Sequence, residues 1–290
     1  MDTDAVTNET LDRVIETLQS VRGIDLNGYR RATLGRRFAL RLARSGISDI
    51  EDYLAELASN PAECDALIST IDIPVSRFFR DPEVFDVLAR KGIPDTLDRL
   101  RSSGDTMVRC WSAGCSQGEE AYSLAILLYD AIEEEGVEWR AIVFGTDTDP
   151  KAINRAKTAD FPREKYVDVR LGVLDRHFVQ QGGGERFTVR DHIRDMVHFS
   201  PDDLNAMDHA APAESVYGDF DIILCRNVLI YFSPERQRAI VSRLRRALAP
   251  GGLLVLGRSE RVHPDLEAGF SAFDTASRVW KRRMEDPWAS

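Results

Sequence analysis

Cysteine is scarce in this chain. Its 290 residues hold four, Cys64, Cys110, Cys115 and Cys225, with no CxxC pair and no zinc-ligand spacing. That excludes a disulfide-stapled scaffold and a zinc ribbon, and reads as reduced core thiols of a reducing compartment. Long apolar runs are missing too: none approaches the ~18 residues of a membrane span. The opening MDTDAVTNET is acidic, the wrong charge for a signal peptide. The expected location is therefore the cytoplasm, with no membrane insertion. Positive charge is in deficit. A net charge of −10 and a pI of about 5.1 argue against general nucleic-acid binding. No metal is expected, and monomer is the default state.

What is present suits a soluble globular chain, with 43% hydrophobic and 30% charged residues. Residues 10–90 read as helices. Leu11, Val14, Ile15 and Leu18 recur on one helical face, and Gly23 is expected to close that helix. Ser48, three residues before Glu51, predicts a capping box. Asn60 before Pro61 and Asp81 before Pro82 repeat the logic.

From about residue 105 the period changes. TMVRCWSA, RAIVFGTD, FDIILCRN and GGLLVLGRS are apolar throughout, as buried parallel strands are. Helical segments at 118–135, about 150–158 and 233–248 lie between them, two of them opened by Asp149–Pro150 and Ser233–Pro234. The alternation predicts a doubly wound, Rossmann-like α/β sheet. FSAFD and RVWKRR predict a terminal antiparallel pair. QQGGGERFTVRDHIRDMVHF predicts a small inserted β hairpin at about 183–200. The expected domains are a helical one, 1–85, and an α/β one, 86–290.

The segment VRCWSAGCSQGEEAYSLAILL places glycines at a strand-to-helix junction, where open α/β sheets bind ligands. It matches neither GxGxxG nor GxxxxGK(S/T). Gly114 and its small neighbours leave room for a ligand to reach the backbone. A phosphate there would meet Glu119, and like charges ~4 Å apart cost about 1 kcal/mol even in water. Glu119 and Glu120 thus favour a cationic ligand; the alternative is a plain acid–dipole contact in the first helical turn. Asp147 ends the second strand, where an acid accepts both hydroxyls of a ribose. A ribose, a positive amine and no phosphate together describe S-adenosylmethionine.

SRFFRD (76–81), WSAGCSQGEEAYSLAILL (111–128), GTDTDPKAINRAK (145–157), ILCRNVLIYF (223–232) and GGLLVLGRSE (251–260) together resemble the CheR-type chemotaxis-receptor glutamate O-methyltransferases. The resemblance runs in order over about residues 10–282. It implies an all-α N-terminal domain and an S-adenosylmethionine-dependent methyltransferase domain with a small inserted β subdomain. It further implies methyl esterification of glutamates on the cytoplasmic helices of methyl-accepting chemoreceptors, with S-adenosylhomocysteine as product. The cofactor contacts it implies are Ser76, Arg80, Glu119, Asp147, the pair Asp203–Leu204 and the pair Arg226–Asn227. Two positions depart from the family pattern: Pro74 stands where many members have Asn, and Asp203 replaces an Asn that can donate a hydrogen bond. A same-fold methyltransferase for another signalling protein, or a non-catalytic adaptor, are the alternatives.

A carboxylate nucleophile is already ionised at neutral pH, so the reaction asks for no general base. It asks for positioning and for exclusion of water. Arg80 suits a bidentate hold on a carboxylate, and Tyr231 suits a hydrogen bond to the incoming acceptor. The resemblance also places both at the reactive end. YRRATLGRRFALRLAR (29–44) carries six arginines and no acid. Helical spacing puts Arg30, Arg37, Arg41 and Arg44 in one stripe beside an apolar stripe of Leu34, Phe38 and Leu42. That stripe is the expected docking surface for an acidic receptor helix; a merely solvated face is the alternative.

Overall fold

The computed structural model describes residues 7–22, 26, 28–71, 76–136, 138–207, 209–212, 215 and 218–284. Gly23 and Pro74 lie outside them. The chain divides into two compact units: Met1–Pro74 with Tyr231–Gln237, and Val75–Ile230 with Arg238–Ser290.

The first unit is built on α1 (Asn8–Arg22), α2 (Arg31–Ser45), α3 (Ile50–Ser59) and α4 (Pro61–Ile71). Its core gathers Leu11, Val14, Ile15 and Leu18 of α1 with Leu34 and Phe38 of α2 and Tyr53, Leu57, Cys64 and Leu67. The periodic face of α1 is thus buried as its spacing requires. The cap of α3 is Asp49, not Ser48. Its carboxylate accepts the amides of Glu51 (2.8 Å) and Asp52 (3.2 Å), the usual N-terminal arrangement.

The second unit begins with α5 (Pro82–Val87), which runs through a π-helical turn into α6 (Ile93–Ser103). Then follow β1 (Met107–Ala113), α7 (Glu119–Glu135), β2 (Arg140–Asp147), α8 (Pro150–Thr158) and β3 (Asp160–Pro162). Next come α9 (Leu171–His177), β4 (Phe178–Gln181), β5 (Arg186–Val189), α10 (Asp191–Arg194) and β6 (Val197–Pro201). The chain ends with β7 (Phe220–Cys225), α11 (Pro234–Ala247), β8 (Leu248–Leu256), β9 (Phe270–Asp274) and β10 (Val279–Arg282). The main sheet has the order β6-β2-β1-β7-β8-β10-β9, parallel from β6 to β8. The predicted terminal pair is present, β10 running antiparallel to both β8 and β9.

Two expected boundaries are corrected. Residues 75–85, which reach into α5, are expected from sequence in the helical domain. Val84 and Phe85 instead join the α/β core with Leu88, so the division falls at Pro74/Val75, not at 85/86. The β subdomain is not 183–200. It is a separate sheet β3-β5-β4 spanning Asp160–Val189. Val197–Phe199 of the MVHF run belong to β6, which pairs with β2 in the main sheet. Phe78 anchors the small sheet: it is fully buried, stacked on Tyr166 (4.9 Å) and edge-on to Phe161 and Phe178.

From β1 the chain moves outward through β2 to β6, then returns to the other side of β1 for β7 and β8. The direction reverses between β1 and β7, and ligands of such sheets sit outside the carboxyl ends of the strands at that point.

Candidate active site

The turn after β1 is stitched to the end of β2. The amides of Gly114 and Cys115 both donate to the Thr146 carbonyl at 2.8 Å. Asp147 ties the same two ends together, Oδ2 accepting the Ser116 amide (2.8 Å) and Oδ1 the Asp149 amide (3.0 Å). Burial pushes the Asp147 carboxyl above its ordinary range, against the pull of those amides. A carboxylate offers about four acceptor sites, so room remains beside these amides for a hydroxyl donor. Gly114 and Gly118 have φ of +78° and +95°, in the left-handed region. A Cβ on Gly114 would stand 2.5 Å from Val228 Cγ2, and one on Gly118 would stand 2.8 Å from the Phe199 ring. Bare backbone is therefore required at this cradle.

The two acids opening α7 face different partners. Glu119 is fully buried, with Oε1 2.7 Å from Lys165 Nζ, yet neither oxygen makes a well-angled hydrogen bond within the described residues. Lys165 Nζ also donates to the Ser76 carbonyl (2.7 Å). Glu120 accepts from Ser112 Oγ (2.8 Å) and from Arg226 Nη1 (3.2 Å). Burial raises the Glu120 carboxyl, opposed chiefly by Arg226 and Ser112 and also by the charge of Arg80.

Arg226, at the end of β7, is the hub of this polar cluster, its side chain only 1% exposed. Its Nη2 donates to Asp81 Oδ2 (2.7 Å) and to the Arg80 carbonyl (2.9 Å), and its guanidinium lies 5.4 Å over the Phe85 ring. Asp81 does not cap α5 as its place before Pro82 predicts. It takes φ +57° and spends its carboxylate on Arg226. Phe79 is also left-handed, at φ +51°, held by its amide on Ser123 Oγ (2.9 Å). Non-glycine residues rarely take this geometry without compensating contacts. Asn227 has φ +61°, and its amide goes to Glu260 Oε2.

After β6, Asp203 Oδ1 accepts the Asn205 amide (2.8 Å), and Leu204 is buried. The α/β unit therefore brings together Ser76, Arg80, Gly114, Glu119, Asp147 and Arg226–Asn227 around the ends of β1, β2 and β7, with Asp203–Leu204 following β6. Sequence reasoning missed Lys165, Asp81 and Glu260. Asp81 and Glu260 carried a signal, as the last residues of SRFFRD and GGLLVLGRSE, and Lys165 carried none.

Tyr231 falls in the helical unit. Its carbonyl accepts the Arg30 amide (2.7 Å), and the side chain is half-buried between buried Leu229 and Phe232 in sequence. The arginine stripe needs correction at two positions. Arg30 precedes α2 in extended backbone, off the helical stripe, and its Nε donates to the Phe232 carbonyl (3.0 Å). Arg41 is spent internally. Its Nε is 2.8 Å from Glu63 Oε1 and its Nη2 bonds Oε2, while the Tyr53 hydroxyl donates to the same carboxylate (2.7 Å). The Arg41 guanidinium holds the Glu63 carboxyl below its ordinary value. Arg44 is exposed and Arg37 half-buried.

Among the described residues there is no cluster of His, Cys, Asp and Glu able to hold a metal ion, and no helix long and apolar enough to cross a membrane.

Family models match both units: "CheR methyltransferase, all-alpha domain" over residues 9–71 and "CheR methyltransferase, SAM binding domain" over residues 74–279. An uncharacterized 104.1 kDa protein of Rhodobacter capsulatus is 34% identical over 94% of this chain. The chain spans only 27% of that protein's length. The chemotaxis protein methyltransferase of Escherichia coli is 32% identical over 88% of this chain and 85% of its own. A Pseudomonas aeruginosa protein named "Probable biofilm formation methyltransferase WspC" is 32% identical over 86% of this chain and 56% of its own.

Proposed function

Because the chain belongs to the CheR methyltransferase family and binds S-adenosylmethionine, we propose that it esterifies glutamate side chains on the cytoplasmic helices of chemoreceptors. The observation that carries the reading is the cluster at the β1–β7 switch point, where such sheets form a ligand crevice. A glycine cradle there meets Glu119 (paired with Lys165), Glu120 (paired with Arg226) and Asp147, a set that suits a ribose joined to an amino acid cation better than a phosphate. Glu119, buried with both oxygens lacking a well-angled hydrogen bond, is the acceptor such a cation fits.

S-adenosylmethionine held there would supply a sulfonium methyl group to the acceptor carboxylate and leave as S-adenosylhomocysteine. Asp147 takes the ribose hydroxyls on its spare lone pairs. Asp203 and Leu204 border the adenosine. Glu119, with Glu120 beside it, holds the ammonium, and Glu119 shares or exchanges its contact with Lys165. Arg80 holds a carboxylate, and Arg226–Asn227 shape the crevice between them. Arg37 and Arg44 remain the docking cations of α2, with Arg30 beside its start. No side chain has to take a proton from the acceptor, because a glutamate with a pKa near ~4.3 arrives ionised.

A second reading rests on the relative named for biofilm formation: the same reaction on a receptor of a different signalling system. Tandem mass spectrometry of receptor cytoplasmic fragments, incubated with enzyme and S-adenosylmethionine, tests both. Methyl esters on glutamates of chemotaxis receptors support the first reading. Esters confined to receptors of another system support the second. Methylation of other side chains overturns both.

A further inference from the structure

Arg243, on α11, is fully buried and donates hydrogen bonds from all three of its guanidinium nitrogens. Nε donates to the Ala210 carbonyl (3.2 Å) and Nη1 to the carbonyls of Asp203 (2.7 Å) and Ala206 (3.1 Å). Nη2 takes both carboxylate oxygens of Asp202, at 3.0 and 2.9 Å. The guanidinium lies 5.6 Å over the ring of Trp111 in β1. Every one of these acceptors belongs to a single segment, residues 202–210, whose described residues form no helix or strand. The same loop is tied to the end of β2, the Asp202 amide donating to the Asp147 carbonyl (3.1 Å).

We propose that Arg243 is a positioning residue for the cofactor: it sets the backbone of Asp203–Leu204, and so the affinity of the site for the adenosine moiety. This rests on the reading that Asp203–Leu204 border the adenosine. A buried guanidinium is a costly way to fill a core, where an apolar residue of similar volume is often as stabilising. Here its fork geometry does what an apolar residue cannot, satisfying three loop carbonyls and a carboxylate at once. A lysine offers three donors on one atom and cannot span them.

The test is calorimetric titration of S-adenosylhomocysteine into wild type, Arg243→Lys, Asp202→Asn and Leu244→Ala, each well below its own melting temperature. Leu244 is a fully buried neighbour on α11 and serves as a control for lost stability. Arg243→Lys is expected to weaken binding by about tenfold or more, the worth of one or two charged hydrogen bonds. Asp202→Asn, which keeps the guanidinium and removes one charge, should weaken it by a smaller factor in the same direction. Leu244→Ala should stay within about twofold of wild type although it melts lower. In turnover, Arg243→Lys should raise KM for S-adenosylmethionine and leave KM for the acceptor unchanged. If Arg243→Lys does not fold, Asp202→Asn decides by the same comparison. Wild-type affinity in both loop variants, or equal losses in Leu244→Ala, overturns the proposal. A wild type that does not bind S-adenosylhomocysteine would instead overturn the cofactor reading beneath it.

Discussion

Glu260 joins two strand ends through Asn227: its Oε2 accepts the Asn227 amide at 3.0 Å and the Gly257 amide at 2.6 Å. Its Oε1 takes the Ile230 amide at 3.3 Å. Glu260 is 4% exposed, and these partners are all backbone amides. It holds the turn after β7, left-handed Asn227 included, against the end of β8. A glutamine here would keep one acceptor oxygen and turn an NH2 toward an amide, leaving a buried donor unpaired at about 1–3 kcal/mol. Glu260→Gln should therefore lower the melting temperature by several degrees and kcat/KM by about tenfold, read by calorimetry and initial rates. Unchanged kinetics would show that this turn does not set the crevice.

Asp147 is expected to hold the ribose through charge-assisted bonds. Asp147→Asn keeps the size and loses the charge, so S-adenosylhomocysteine affinity should fall about 10- to 100-fold, at ~1.5–3 kcal/mol per such bond. Calorimetric titration measures it. An affinity within about twofold of wild type would remove Asp147 from the site.

Gly114→Ala must meet Val228 Cγ2 at 2.5 Å while adopting φ +78°. Melting temperature and cofactor affinity should both fall. Adding Val228→Ala should restore part of each, because the steric contact is relieved and the backbone cost of about 1 kcal/mol remains. A double variant no better than the single one would place the strain elsewhere.

The crevice should also be acid-sensitive. Burial raises Asp147, Glu120 and Glu260 above their ordinary values. A carboxyl raised by folding contributes stability below its unfolded value near ~4, and that contribution is lost as pH rises through the folded value. Protonation therefore favours the fold. It opposes binding, which needs ionised Asp147 and Glu120. As pH falls from neutral through the raised values, S-adenosylhomocysteine affinity should drop before the melting temperature does. Parallel loss of both would contradict this separation.

Much of this was legible because it is local. Gly114 and Asp147 close apolar runs whose continuity already marks them as parallel strands, so their place at the carboxyl ends follows from the pattern. Glu260 and Arg243 are different. Glu260 reaches Ile230 and Asn227, 30 and 33 residues away, and Arg243 reaches acceptors 33–41 residues away, and sequence does not separate an amide-holding glutamate from a surface one. Arg41 shows the limit of helical spacing. The stripe is visible along α2, while Glu63, which consumes the charge, arrives from α4. MVHF is too short to reveal whether it pairs with a neighbouring hairpin or with β2. Asp81 reads as a cap because Pro82 follows it, and only the fold brings Arg226 to its carboxylate.

The central claim is methyl transfer to acidic side chains. Its most direct test incubates the protein with methyl-labelled S-adenosylmethionine and receptor cytoplasmic fragments, then counts label released as methanol by mild alkali. The account predicts alkali-labile counts that Arg80→Ala abolishes or sharply reduces. Alkali-stable label, or no label from protein that still binds S-adenosylhomocysteine, would contradict it.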